Sequence, residues 1–101
     1  MKSVTVVRIY SLEGKTPLNE VIETLHDELD ICGVSVFRAV EGFGQDRELR
    51  TTSLLSLSLT LPVVLEFYDE TDKAQRAITL LQKKFDLPHI VSWPATAHIS
   101  F

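Results

Sequence analysis

Two amphipathic stripes, each set between β-branched runs, constrain this chain more than any other feature. Leu18, Val21, Ile22, Leu25 and Leu29 recur at helical spacing, and so do Ala74, Ala77, Ile78, Leu81 and Phe85. Before the first stripe stands "SVTVVRIY" (Ser3 to Tyr10), a strand by its β-branched and aromatic composition. Between the stripes come "VSVFRAV" (Val34 to Val40) and "PVVLEFY" (Pro62 to Tyr68), and after the second comes "IVSW" (Ile90 to Trp93). Thr16-Pro17 reads as a helix start with Thr16 as N-cap, and Gly33 as its end. The second helix is expected over Asp69 to Phe85, with acids in its first turns and Lys83 and Lys84 in its last, as the helix dipole favours. Pro94 points to an edge position for the last strand.

The order β-α-β-β-α-β predicts an α+β, ferredoxin-like sandwich: two helices on one face of a four-stranded antiparallel sheet, strand order 4-1-3-2. At 101 residues the whole chain, 1–101, is expected to form a single domain. A domain this small buries only about two thirds of its unfolded surface, so self-association is a common way to bury more.

The sheet's second face sharpens that point. If Val7 and Ile9 face the helices, Val4, Val6, Arg8 and Tyr10 lie opposite; Val63, Leu65 and Phe67 inward put Val64, Glu66 and Tyr68 outward. For the second strand, Phe37 and Ala39 are expected inward and Val36, Arg38 and Val40 outward. A face of valine and tyrosine broken by Arg8, Arg38 and Glu66 is too apolar to stay in water, and subunit contact is expected there, with Arg8 and Glu66 as a charge pair.

At one pole the sandwich gathers "EGKT" (Glu13 to Thr16), "EGFG" (Glu41 to Gly44), Arg47 and Arg50. Backbone N–H groups at a helix start beside Lys15 and two arginines suit an anion; a solvated loop in which Gly42 and Gly44 supply positive φ is the other reading. The long connection that follows splits into a polar half, "QDRELRTT", with part of Gln45 to Ser53 expected to be mobile without a ligand or target, and "SLLSLSLTL", whose period of two favours an extended ribbon. Its leucines fit either a neighbouring subunit or a target protein.

Composition closes several functional classes. Net charge is −4, which gives no bulk attraction to nucleic acid or anionic membrane. "LLSLSLTLPVVL" is too short and too hydroxylated to span a bilayer, and the N-terminus alternates like a strand rather than a signal peptide, so a cytoplasmic protein without membrane insertion is expected. Cys32 has no disulfide partner and reads as a buried thiol. His26, His89 and His98 lack metal-ligand spacing, and neither a Ser-His-acid set nor a P-loop can be assembled, so no enzyme is expected.

Taken together, "VRIYSLEGKTPLNEVI", "VFRAVEGFG" and "LPVVLEFYD" resemble the PII-like signalling proteins grouped as domain of unknown function 190, over nearly the whole chain. The resemblance implies a homotrimeric sensor or regulator that binds a small anionic ligand, an adenine nucleotide (ADP or ATP), in clefts between subunits. The loop 44–60 then corresponds to the segment that reports the bound state to a target protein. Some relatives are associated with fluoride channels, which makes a membrane transporter or channel a candidate target. The ligand-binding residues expected on this basis are Lys15, Thr16, Arg38, Glu41 and Gly42. Phe43, Gly44, Arg47 and Arg50 complete the set. PII proteins carry a glycine- and basic-rich phosphate loop after the second helix, where this chain has "DLPHI" without glycine, implying weak or atypical nucleotide binding. The alternative is a structural or adaptor trimer that binds protein partners without a small ligand.

Overall fold

The computed structural model describes residues 1–44, 46–51 and 61–99. Its elements run β1 (Lys2–Leu12), α1 (Leu18–Asp27), β2 (Val34–Arg38), β3 (Glu41–Gly42), β4 (Arg50–Thr51), β5 (Pro62–Asp69), α2 (Thr71–Lys84) and β6 (Ile90–Ala97). The main sheet is antiparallel in the order β2-β5-β1-β6, which is the ferredoxin-like arrangement with the first and third long strands at the centre. β3 and β4 form a separate two-stranded ribbon that pairs Glu41 with Thr51 and Gly42 with Arg50. The segment 52–60, and with it the serine–leucine ribbon, lies outside the described residues.

Both helical stripes are buried as their spacing dictates. Val21 and Leu25 of α1 and Ala74, Ala77, Ile78 and Leu81 of α2 pack on Val7, Ile9, Leu65 and Phe67, while Leu18, Ile22, Leu29 and Phe85 close the margins. Side chains on β1 and β5 alternate, and the cross-strand pairs Ile9–Leu65 and Val7–Phe67 put the largest ones under the helices.

Strand β2 departs from expectation. Val34 pairs with Phe67 and Val36 with Leu65, so Val34, Val36 and Arg38 take the helix side, while Ser35 and Phe37 share the open face with Glu66 and Val64. A strand's period of two fixes which residues alternate but not which set faces in; pairing with β5 decides it, and Val34 packing on the core selects the outcome. β6 is an edge strand, where Pro94 is tolerated, and it extends past Trp93 to Ala97.

The helix ends are also set differently. α1 begins at Leu18 with Pro17 at the cap position, and Thr16 gives no side-chain cap; its hydroxyl meets that of Ser11 instead. Beyond α1, the Ile31 amide donates to the Leu25 carbonyl at 3.0 Å, and the positive φ of 53° falls on Asp30, not on Gly33. This turn delivers Ile31 to the core and leaves Cys32 exposed, against the expectation of a buried thiol. α2 starts at Thr71, two residues later than the acidic run suggests, because Asp69 still belongs to β5 and Glu70 stands at the cap.

Candidate functional site

At the end of β1 the chain turns through "LEGK". Gly14 has φ 79°, a backbone setting that side-chain-bearing residues rarely adopt, and the Lys15 amide donates to the Leu12 carbonyl at 3.2 Å. Across from it the chain leaves β2, and the Ala39 amide donates to the Pro62 carbonyl at 2.8 Å. Neither Gly42 nor Gly44 has positive φ. Gly42 lies close to the next strand instead: a Cβ there would stand 3.2 Å from the Pro62 ring, a tight contact. After Gly44 a tight turn follows, with the Arg47 amide donating to the Gly44 carbonyl at 2.9 Å and Arg47 itself at φ 61°. The Glu48 amide donates to Asp46 Oδ1 at 3.0 Å, which pins the same turn.

Between these elements opens a groove of about 970 Å³, large enough for a small organic ligand. The end of β1 contributes Tyr10, Ser11 and Leu12, and the turn into α1 contributes Lys15 and Thr16. The opposite wall holds Phe43, Gly44, Asp46 and Arg47; Pro62, Val63 and Val64 form the floor, and Asp86, Pro88 and His89 enter from the α2–β6 connection. The Arg47 guanidinium lies over the Phe43 ring, 5.2 Å from its centroid, and Lys15 Nζ stands 3.7 Å from Asp46 Oδ2.

Lys15, Thr16, Phe43, Gly44 and Arg47 are thus brought together on one groove, from segments some thirty residues apart in sequence. Arg38 is directed elsewhere and pairs with Glu13, whose own amide is held by the Leu61 carbonyl at 2.9 Å. Glu41 and Gly42 sit in the ribbon beside the groove rather than in its wall. Arg50 pairs with Gly42 through the backbone, and its side chain lies outside the described residues.

Sequence reasoning missed Tyr10, Ser11, Asp46, Asp86 and His89. Asp46 was legible, since "QDRELR" alternates acid and base and its acids deserved the weight given to its arginines. Asp86 and His89 stand in "DLPHI", a segment read only for the glycine it lacks. Chemically, the groove offers two cations, hydroxyl donors and two aromatic faces, which suits an anion attached to an apolar or aromatic body. Among the described residues no cluster of three or more His, Cys, Asp or Glu is placed to hold a metal ion, and no helix is long and apolar enough to cross a membrane.

The open sheet face is a second candidate surface. Arg8 and Glu66 face each other on the central strands, Nε donating to Oε1 at 2.7 Å. The Arg8 guanidinium also lies 5.5 Å from the centroid of Trp93. The hydrogen bond to Glu66, and next the neighbouring Tyr10 hydroxyl, raise the Arg8 pKa above its ordinary value, so this cation stays charged. Around the pair stand Tyr10, Phe37, Tyr68, Val91 and Trp93, each 38–53% exposed.

The two-layer βαββαβ sandwich is shared by several solved structures. A crystal structure from Thermus thermophilus assigned to a PII-like signaling protein superposes with a TM-score of 0.61 at 15% identity, covering 93% of this chain and 86% of that one. CPII from Thiomonas intermedia K12, solved bound to ADP and bicarbonate, gives 0.59 at 11% identity over 92% of this chain and 84% of its own. The divalent ion tolerance protein CutA1 from Ehrlichia chaffeensis gives 0.61 at 10% identity over 100% of this chain and 87% of its own. Those likenesses establish the fold. In sequence, residues 4–97 match the DUF190 family, described as "Uncharacterized ACR", and the chain belongs to that family. It is also 36% identical over 74 residues to a UPF0166 protein of Aquifex aeolicus (strain VF5), covering 73% of this chain and 70% of that protein.

Proposed function

We propose that this protein is a PII-like regulator that assembles as a homotrimer, takes a small anionic ligand of the adenine-nucleotide class in the groove, and passes the bound state to a target protein through the segment 44–60. The observation that carries this reading is the convergence of Lys15, Thr16 and Arg47 beside Tyr10 and Phe43 on one groove. Cations and a hydroxyl suit phosphate oxygens, and the aromatic rings suit a base or other flat body. One wall of the groove, with Phe43, Gly44, Asp46 and Arg47, is where the 44–60 segment begins, so a ligand contacting Gly44 and Arg47 favours one conformation of that segment over others; such differential contact is what shifts a population. Family membership and the fold shared with a protein described as bound to ADP and bicarbonate make those two compounds the first probes.

The uncovered apolar sheet face supports self-association, because contiguous apolar patches of this kind mark interaction surfaces. Isothermal titration calorimetry with ADP, ATP and bicarbonate, on protein whose solution mass is measured in parallel, tests both parts. ADP is expected to bind, and a Lys15→Ala, Arg47→Ala double variant to bind at least about tenfold more weakly, since loss of two charge-assisted contacts exceeds the roughly 1.4 kcal/mol that a decade of affinity represents. A parent that binds none of the three overturns the ligand reading; a monomeric mass at moderate salt overturns the assembly.

A further inference from the structure

The groove's charge is balanced by its own residues. Lys15 and Arg47 bring two positive charges to its wall, and Asp46 and Asp86 bring two negative ones. An anion entering this space gains little from the wall as a whole, so it must take a cation from an existing partner. The structure identifies that partner for Lys15: Asp46 Oδ2 stands 3.7 Å from its Nζ, reaching across from the opposite wall. We infer that Asp46 is a built-in competitor of the ligand, an internal carboxylate that engages Lys15 and that an incoming anion displaces. This rests on the anion-binding reading given above.

Three features make the displacement feasible and consequential. The Lys15 and Asp46 side chains are 60% and 33% exposed, and a solvated pair of this kind is weak enough for a bound anion to replace. Asp46 also organises its own turn, because its other carboxylate oxygen, Oδ1, accepts from the Glu48 amide at 3.0 Å. Arg47, at φ 61°, holds a backbone setting uncommon for its residue type, next to the residue that must let go. Breaking the contact with Lys15 therefore acts directly on the turn that starts the 44–60 segment. The contact to Lys15 and the contact to Glu48 use different oxygens of one carboxylate, so anion occupancy and turn geometry are linked through a single side chain. Linkage is reciprocal: whatever draws Asp46 away from Lys15 also tightens anion binding, and a target protein that holds the turn in the released form would do so.

Asp46→Asn separates the charge from the turn. Asparagine keeps an Oδ1 that accepts from the Glu48 amide, so the turn is retained while the competitor loses its charge. The experiment is a calorimetric cycle with ADP, and with inorganic phosphate as a second probe, on the parent, D46N, Lys15→Gln and the double variant. D46N is expected to bind ADP about three- to fivefold more tightly than the parent, the range of an exposed ion pair. In the Lys15→Gln background the same substitution is expected to give no gain, since the competed cation is gone. In the parent, amide exchange at Glu48 is expected to speed up on ADP addition as Asp46 moves. Unchanged or weaker binding by D46N, with the parent binding ADP, overturns the competitor role and leaves the anion site standing. A gain that persists without Lys15 also overturns it, because the effect is then general charge removal. Binding of neither probe to any of the four proteins overturns the site and the competitor together.

Discussion

The two faces of the central sheet carry similar side chains and meet opposite fates. Under the helices, Val7, Ile9, Leu65 and Phe67 are at most 2% exposed; on the other face Tyr10, Tyr68, Val91 and Trp93 are at least 38% exposed. The chain supplies two amphipathic helices, and both go to the first face. On the second, Val4 is buried at 4% exposure, while Arg8, Glu66 and Trp93 form a charged pair and an aromatic platform among large side chains that stay exposed. The difference teaches that apolar alternation in a strand reports burial without reporting by what. One face is a folding core, and the other is the exposed surface on which self-association is proposed.

The largest effect tests the first face. Phe67→Ala is expected to cost about 3–5 kcal/mol of folding stability, because a large buried side chain is removed and the packed surroundings relax only partly. Chemical denaturation measures it, and a loss under about 1 kcal/mol would show that the core is not where the structure puts it. Trp93→Ala tests the second face. It is expected to leave the secondary structure by circular dichroism intact while weakening self-association by about thirtyfold or more, the scale of a tryptophan anchor at the centre of an interface. Sedimentation over a concentration series reads this, and an unchanged dissociation constant would break the comparison by showing the face to be idle.

Much of this contrast was legible in the sequence, and the reasons for the exceptions are specific. The inward set Val7, Ile9, Val63, Leu65 and Phe67 follows from periodicity, as do both helical stripes. Phe37 takes the face opposite to the one expected of it because β2 is short and apolar in both parities, so only its pairing with β5 distinguishes them. Trp93 and Val91 were legible as strand residues, yet their place beside Arg8 and Val6 depends on the register of β6 with β1, which pairs positions more than eighty residues apart. Within the candidate site, Lys15, Thr16, Phe43, Gly44 and Arg47 could be gathered from topology. Asp46's grip on Lys15 could not, because the positive φ at Arg47 sets that turn and composition does not announce it.

The smallest effect serves as a control lying on neither face. His26, exposed on α1, has its Nδ1 2.7 Å from Asp27 Oδ1, and this hydrogen bond, with the charge attraction that accompanies it, raises the histidine pKa above its ordinary 6.5. Because the folded value lies above the unfolded one, the contribution is fully present below the ordinary histidine value and is lost as pH rises through the raised folded value. A proton NMR titration is expected to show the His26 midpoint above 6.5 in the parent and back near it in Asp27→Asn. Self-association is expected to be indifferent to that substitution, and a change would mean that α1, too, belongs to the interface.

The order of elements, the two helical stripes and the inward set of β1 and β5 were determined by the sequence alone, because each is written in spacings of two to four residues. The side that β2 presents, the use of Gly14 and Asp30 rather than Gly33, Gly42 or Gly44 for left-handed backbone, and the union of Lys15 with Asp46 were decided only by the tertiary structure. Those features depend on strand register and on loop paths. Both are set by which distant segments meet, and a local pattern holds no information about that until the chain has packed.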